Sequence, residues 1–105
     1  MQFSVVIVSW NVRDLLRRAL QSVLCEAKNV ALEVFVVDNA SRDGSAEMVR
    51  EDFPSVRLIA NAENRGFATA CNQAVRESRG KYVLLLNPDT ELRPGALQAF
   101  TEFLA

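Results

Sequence analysis

Lys81 to Leu92 reads KYVLLLNPDTEL. Val83 to Leu86, all apolar, follow Tyr82 and stop abruptly at Asn87-Pro88-Asp89. An apolar run bounded by turn residues predicts a strand buried on both faces, the kind found in parallel sheets. Asn, Pro, Asp and Thr in succession suit a type I turn, with proline fixing φ at the second position. Such a turn would end the strand whatever the protein does. The sharper alternative is that the strand delivers the Asp89 carboxylate to a site.

Similar segments recur toward the N-terminus. FSVVIVSW, from Phe3, predicts a first buried strand, and LEVFVVD, ending at Asp38, a second. VRLIAN is a shorter third strand, near an edge. Helical patterns lie between them. From Arg13 to Ala27, Leu15, Leu16, Ala19, Leu20, Val23 and Leu24 line one apolar face. In NASRDGS, Asp43 or Ser45 is placed to cap a short helix that Pro54 terminates. Phe67, Ala70, Cys71, Ala74 and Val75 give the next helix a buried stripe, and Gly80 is placed to stop it. Pro94 suits the first turn of a last helix carrying Leu97, Phe100, Phe103 and Leu104.

The order is β-α-β-α-β-α-β-α. The fold class is therefore α/β, a mostly parallel sheet with right-handed crossovers and helices on both faces. Ligands of such sheets sit beyond the carboxyl ends of the strands, where strand order reverses. A spatial order of 3-2-1-4 would put that switch between the first and fourth strands, and would bring Asn11, Asp38 and Asp89 toward one crevice.

Composition narrows the chemistry. The chain has 105 residues, enough for one domain, and its net charge of -1 argues against a general affinity for nucleic acid or anionic membrane. No apolar run approaches a membrane span, and no signal peptide is apparent, so a cytoplasmic location is expected. The sequence contains no histidine, which excludes the usual zinc sites and Ser-His or Cys-His nucleophiles. Cys25 and Cys71 read as small buried core residues, and Trp10 also reads as core. Arg42, Asp43 and Glu63 read as surface charge. Chemistry must rest on carboxylates, Arg or Lys, amides and an oxygen-liganded cation.

Ser-Trp-Asn-Val-Arg follows the first strand, not GxGxxG, and GxxxxGK[ST] is absent. A phosphorylation receiver would need an acidic pair where Ser9 and Asn11 stand. Carboxylates at two strand ends without a glycine cradle suit a metal-bound diphosphate, because Mg²⁺ or Mn²⁺ takes only one or two protein oxygens beside phosphate and water. Asp89, with Asn87, can supply them. Asp38 can accept from a pyrimidine imide N–H or a ribose hydroxyl. Ser9 and Asn11 could serve the pocket or merely cap the next helix, and Arg65 could serve it or merely be solvated.

Taken together, SVVIVSWN, VFVVDNASRDGS, NRGFATACNQAV with Gly80, and YVLLLNPDTELRPGAL resemble the nucleotide-binding half of a family-2 glycosyltransferase of GT-A fold. GFATACNQA followed by LLLNPDTEL is most similar to the rhamnosyltransferase-like branch. The resemblance implies that Asn87-Pro88-Asp89 stands at the DxD motif, with Asp89 on Mg²⁺ or Mn²⁺ and Asn87 replacing the usual first Asp. It further implies that Asp38 contacts the base, that Ser9 and Asn11 line the nucleotide pocket and that Arg65 lies near it. The reaction implied is inverting sugar transfer from a dTDP- or UDP-sugar to a saccharide or lipid-linked acceptor hydroxyl, in cell-surface polysaccharide biosynthesis. The full enzyme would sit in the cytoplasm or peripherally at the inner membrane face. The resemblance places the base and acceptor contacts after the motif. Residues 1–105 are therefore expected to be the donor half, with the acceptor half absent and the catalytic residue unassigned. Two other readings stand beside this one: a non-catalytic nucleotide-sugar binding module, and a self-associating interaction domain forming a homo-oligomer.

Overall fold

The structure, a computed structural model, describes residues 1–104. Four strands alternate with four helices in chain order: β1 (Phe3–Ser9), α1 (Arg13–Glu26), β2 (Leu32–Asp38), α2 (Ser45–Asp52), β3 (Arg57–Ala60), α3 (Phe67–Val75), β4 (Tyr82–Leu86) and α4 (Ala96–Leu104). The strands form one parallel sheet in the order β3-β2-β1-β4, so the condition considered above is met. The reversal of strand order falls between β1 and β4.

Strand alternation divides the core in two. Phe3, Val5, Ile7, Val34 and Val36 meet Leu16, Ala19, Leu20 and Val23 of α1, Met48 and Val49 of α2, and Leu97 of α4. On the other face, Val6, Phe35 and Val37 meet Ala70 and Ala74 of α3, with Val8 and Ile59 partly buried beside them. Two small alanines let that helix lie close to the sheet. Each buried Val, Ile, Leu or Phe side chain contributes about 1.5–3 kcal/mol, so β1 and β2 anchor the fold.

Several expectations are corrected. β4 is not buried on both faces: Tyr82, Leu84 and Leu86 pack on the first core, but Val83 and Leu85 are 41% and 52% exposed. The reason is position, since β4 is an edge strand and α3 lies over β1 and β2. Phe67 and Val75, at the ends of α3, are exposed rather than buried. In α4 only Leu97 is buried, while Phe100, Phe103 and Leu104 are exposed. Cys25 is exposed because the apolar stripe of α1 runs through Leu16, Ala19, Leu20 and Val23; Cys71 is buried, which pushes its thiol pKa up. Trp10 is 56% exposed, not core.

Other differences concern element ends. α2 starts from Gly44 with φ 85°, which offers no side-chain cap, and Asp43 Oδ1 accepts from the backbone N–H of Ser45, the first helical residue, at 3.1 Å. α4 begins after Pro94, at Ala96. α3 ends well before Gly80, whose place is a matter of space. A Cβ there would lie 2.4 Å from the Ser4 backbone nitrogen, because the chain crosses the start of β1 at this point.

Candidate functional site

The parallel strands present all their carboxyl ends at one end of the sheet, and the loops leaving β1, β2 and β3 enclose an open cleft of about 710 Å³ there. Trp10 and Asn11 come from the first loop, residues 39–42 from the second and residues 61–64 from the third. The volume falls in the range of small-ligand and cofactor sites.

Hydrogen bonds between loops set the shape of this cleft. The Asn11 backbone N–H donates to Ser41 Oγ at 2.8 Å, and Asn11 Oδ1 accepts from the Arg42 backbone N–H at 2.7 Å. Asp43 Oδ2 accepts from the Arg13 backbone N–H at 2.9 Å, and its Oδ1 accepts from the Ser45 backbone N–H and hydroxyl. Asp43 is thus a fastener between loops and not simply surface charge. Burial would raise its pKa, but the hydrogen bonds from Ser45 and Arg13 outweigh that and hold it below the usual carboxylate value. Asn11 and Ala40 both have positive φ, 53° and 61°. Asn tolerates that region; for Ala it costs about 1–2 kcal/mol, which the hydrogen-bonded neighbours must offset.

The far wall of the cleft is an amide network. Asn61 and Gln73 exchange two hydrogen bonds at 2.9 Å, and Asn61 Nδ2 also donates to Asn39 Oδ1 at 3.0 Å. Asn39 Oδ1 accepts from the Arg65 backbone N–H, while its Nδ2 donates to the Gly66 carbonyl. Gly66, with φ 80°, makes the reversal into α3 that a side chain would strain. Asn39 and Asn61 stand directly at the carboxyl ends of strands, a position that marks them in the sequence although it assigns them no role, and Trp10, which read as core, lines the cleft with them.

At the carboxyl ends of their strands, Ser9 and Asp38 pair in register across β1 and β2, 1% and 2% exposed. Asp38 Oδ2 accepts from the Ser41 backbone N–H at 3.0 Å, an Asx turn. Its other oxygen, Oδ1, and Ser9 Oγ have no hydrogen-bond partner among the described residues. A buried polar atom without a partner costs about 1–3 kcal/mol.

The structure does not gather every expected residue into this cleft. Asn11 lines it, Ser9 and Asp38 are buried next in sequence to the lining residues Trp10 and Asn39, and the Arg65 side chain is exposed and outside the lining. Asn87 and Asp89 are also exposed, in the turn beyond β4, where the Thr90 backbone N–H donates to the Asn87 carbonyl at 3.0 Å. The turn expected from Asn-Pro-Asp-Thr is therefore present. Because Leu86 pairs with Ile7, the turn emerges next to the end of β1, at the switch point. No cluster of three potential metal-ligating side chains exists among the described residues. One carboxylate and one amide in an exposed turn do not make a protein cage. They do suit a cation that draws its other ligands from a diphosphate and water.

The family model described as Glycosyl transferase family 2 matches residues 4–105. The chain belongs to that family. Among curated relatives of this glycosyltransferase chain, succinoglycan biosynthesis protein ExoO of Rhizobium meliloti is 36% identical over 98 residues, covering 92% of this chain and 28% of that protein. N-acetylglucosaminyl-diphospho-decaprenol L-rhamnosyltransferase of Mycobacterium tuberculosis is 29% identical over 109 residues, covering 93% and 35%. Among solved structures, the mannosyltransferase PcManGT from Pyrobaculum calidifontis, in complex with GDP-Man and Mn²⁺, superposes with a TM-score of 0.87 at 30% identity, covering 99% of this chain and 32% of that one. The GT-A architecture expected from the resemblance is thus present, and the chain spans about a third of the length of the proteins it matches.

Proposed function

We propose that residues 1–105 are the donor-binding portion of a glycosyltransferase that transfers a sugar, with inversion, from a nucleoside-diphosphate donor to an acceptor hydroxyl. The observation that carries this reading is the orphaned pair at the carboxyl ends of β1 and β2, Ser9 Oγ and Asp38 Oδ1, next in sequence to the cleft residues Trp10 and Asn39. A pyrimidine base satisfies such a pair, its imide N–H donating to Asp38 and a carbonyl accepting from Ser9. Trp10, exposed at the cleft, supplies an aromatic surface on which a base can stack, worth about 1–3 kcal/mol. Asn11 holds the loop that flanks the ribose. Arg65 lies next to Asn39 and contributes positive charge toward the phosphates.

The diphosphate then runs toward the switch point, where Asp89, with Asn87, would hold Mg²⁺ or Mn²⁺. When bound, that cation stabilises the charge of the departing diphosphate. Asn87 accepts or weakly ligates through its amide oxygen and adds no charge, so metal affinity rests chiefly on Asp89. The Mn²⁺ and GDP-Man of the PcManGT complex support a cation beside a diphosphate, and the M. tuberculosis relative supports rhamnose as the transferred group and a lipid-linked acceptor. The ExoO relative supports a role in polysaccharide assembly. Among the described residues no helix is long and apolar enough to cross a membrane. Cytoplasmic work, peripheral at the inner membrane face, fits a lipid-linked acceptor. The acceptor contacts and the base that deprotonates the hydroxyl belong to a second half, outside these residues.

A second reading rests on a different observation. Val83 and Leu85 leave apolar surface on the edge strand β4, which suits self-association of the chain. Concentration-dependent sedimentation without nucleotide affinity would favour it.

Calorimetric titration with dTDP and UDP, in Mn²⁺ and in EDTA, tests the first reading. Expected are binding strengthened by Mn²⁺, loss of that strengthening in Asp89→Ala, and about tenfold weaker binding in both conditions for Asp38→Asn. No binding at millimolar nucleotide, or an Asp89→Ala variant indistinguishable from the parent, would refute it.

A further inference from the structure

Glu26 is the one carboxylate outside the cleft that is almost fully buried, at 3% exposure among the described residues. Such burial is costly unless the charge is hydrogen-bonded. Glu26 sits at the end of α1, yet both its oxygens are used by a segment far along the chain. Oε1 accepts from the Leu97 backbone N–H at 2.9 Å and Oε2 from the Gly95 backbone N–H at 3.1 Å. One turn earlier on the same helix face, Ser22 Oγ accepts from the Leu92 backbone N–H at 2.9 Å. α4 opens after Pro94-Gly95, which carry no side-chain acceptor, so Glu26 caps that helix from outside.

These bonds have a consequence for the Asn87–Asp89 turn. On one side it is held by β4, whose Leu86 is paired with Ile7. On the other side the chain is next fixed at Leu92, which packs on the main core and is bonded to Ser22, and then at Gly95 and Leu97. Only residues 87–91 lie between the two anchors, closed internally by the Thr90–Asn87 hydrogen bond. We infer that Ser22 and Glu26 are positioning residues for the cation-binding turn: α1 holds the exit of that turn so that Asp89 meets the cation and the diphosphate together. This inference rests on the reading of Asp89 given above. The alternative is that the two side chains merely stabilise α4.

Ser22→Ala and Glu26→Gln separate these roles, with Asp89→Ala as reference. Ser22→Ala is the milder change and keeps the test usable if Glu26→Gln folds poorly. The measurement is UDP and dTDP affinity in EDTA and across a Mn²⁺ series, with amide exchange of Leu92, Gly95 and Leu97 in the metal-free protein. The positioning role predicts faster exchange at those amides and metal-free nucleotide affinity within about twofold of the parent. It also predicts that the Mn²⁺ midpoint rises about tenfold, the size of loss seen when groups orienting a metal ligand are removed. If the midpoint stays at the parent value in both variants while Asp89→Ala abolishes the Mn²⁺ effect, the positioning role is overturned and the donor-site reading stands. If Asp89→Ala keeps the Mn²⁺ effect, both fall.

Discussion

β1 and β2 carry a serine opposite an acid twice, once at each end. At their amino ends Ser4 pairs in register with Glu33, and at their carboxyl ends Ser9 pairs with Asp38. The residue types match, but the hydrogen bonding does not. Ser4 Oγ donates to Glu33 Oε2 at 2.6 Å and accepts from the Gly80 backbone N–H at 2.7 Å, and the Arg79 backbone N–H donates to the same Glu33 oxygen at 2.6 Å. The serine hydroxyl and Glu33 Oε2 are both engaged, and the chain entering β4 is welded to the sheet by them. At the other end, Ser9 Oγ and Asp38 Oδ1 are buried. One end spends its polar atoms on the fold. The other leaves two of them unpaired among the described residues.

The sharpest way to break the closed end is Gly80→Ala. The new Cβ would meet the Ser4 nitrogen at 2.4 Å and Ser4 Oγ at 2.6 Å, so the crossing must move and its hydrogen bonds part. Overpacking against backbone predicts a loss of about 3 kcal/mol in urea unfolding. A loss below about 1 kcal/mol would mean that the crossing is loose and the cluster is not a weld.

The comparison is sharpened next by removing each hydroxyl in turn. Ser4→Ala leaves the Gly80 N–H without its acceptor and removes one of the two hydrogen bonds to Glu33 Oε2, and should cost about 1–2 kcal/mol. Ser9→Ala removes an atom that pairs with nothing in the protein, so stability should hold or rise while nucleotide affinity falls. Equal destabilisation by both changes would show that Ser9 has a structural partner, and the carboxyl end would lose its claim to be the site.

Much of this was legible in the sequence, and the failures have identifiable causes. A parallel sheet followed from alternation of strand and helix, whereas its spatial order stood in the sequence only as a condition, because alternation alone does not fix it; Asp38 and Asn11 were singled out because they stand where polar residues interrupt apolar runs. The exposure of Val83 and Leu85 was not legible, because an apolar run reads the same at a sheet edge as at its centre. Trp10 was misjudged by residue type, since its exposure depends on loops that arrive from β2 and β3. Asp43 looked like ordinary surface charge because its partners on Arg13 lie in another loop. Glu26 gave the least signal. It is a charged residue at a helix end whose hydrogen-bond donors stand 69 and 71 positions later, and nothing local distinguishes it from a solvated one.

The smallest effect expected is a change in acid sensitivity at the closed end. Burial would raise the Glu33 pKa, but the Ser4 hydroxyl, the Arg79 N–H and the charges of Arg57 and Arg79 together hold it below the ordinary 4.5. Between the lowered native value and the unfolded value, the unfolded chain binds a proton that the native state does not. Stability therefore rises with pH across that window. The contribution is complete above the unfolded value and is lost as pH falls through the native one. Asp43 is also depressed, so the acid limb of the parent alone mixes two groups. The difference between parent and Ser4→Ala isolates Glu33. Urea midpoints from neutral pH down through the carboxylate range should converge for the two proteins as the parent loses what the hydroxyl supplied. Curves that stay parallel would mean that Ser4 supports the fold without holding the charge on Glu33, and that the closed end is closed by shape alone.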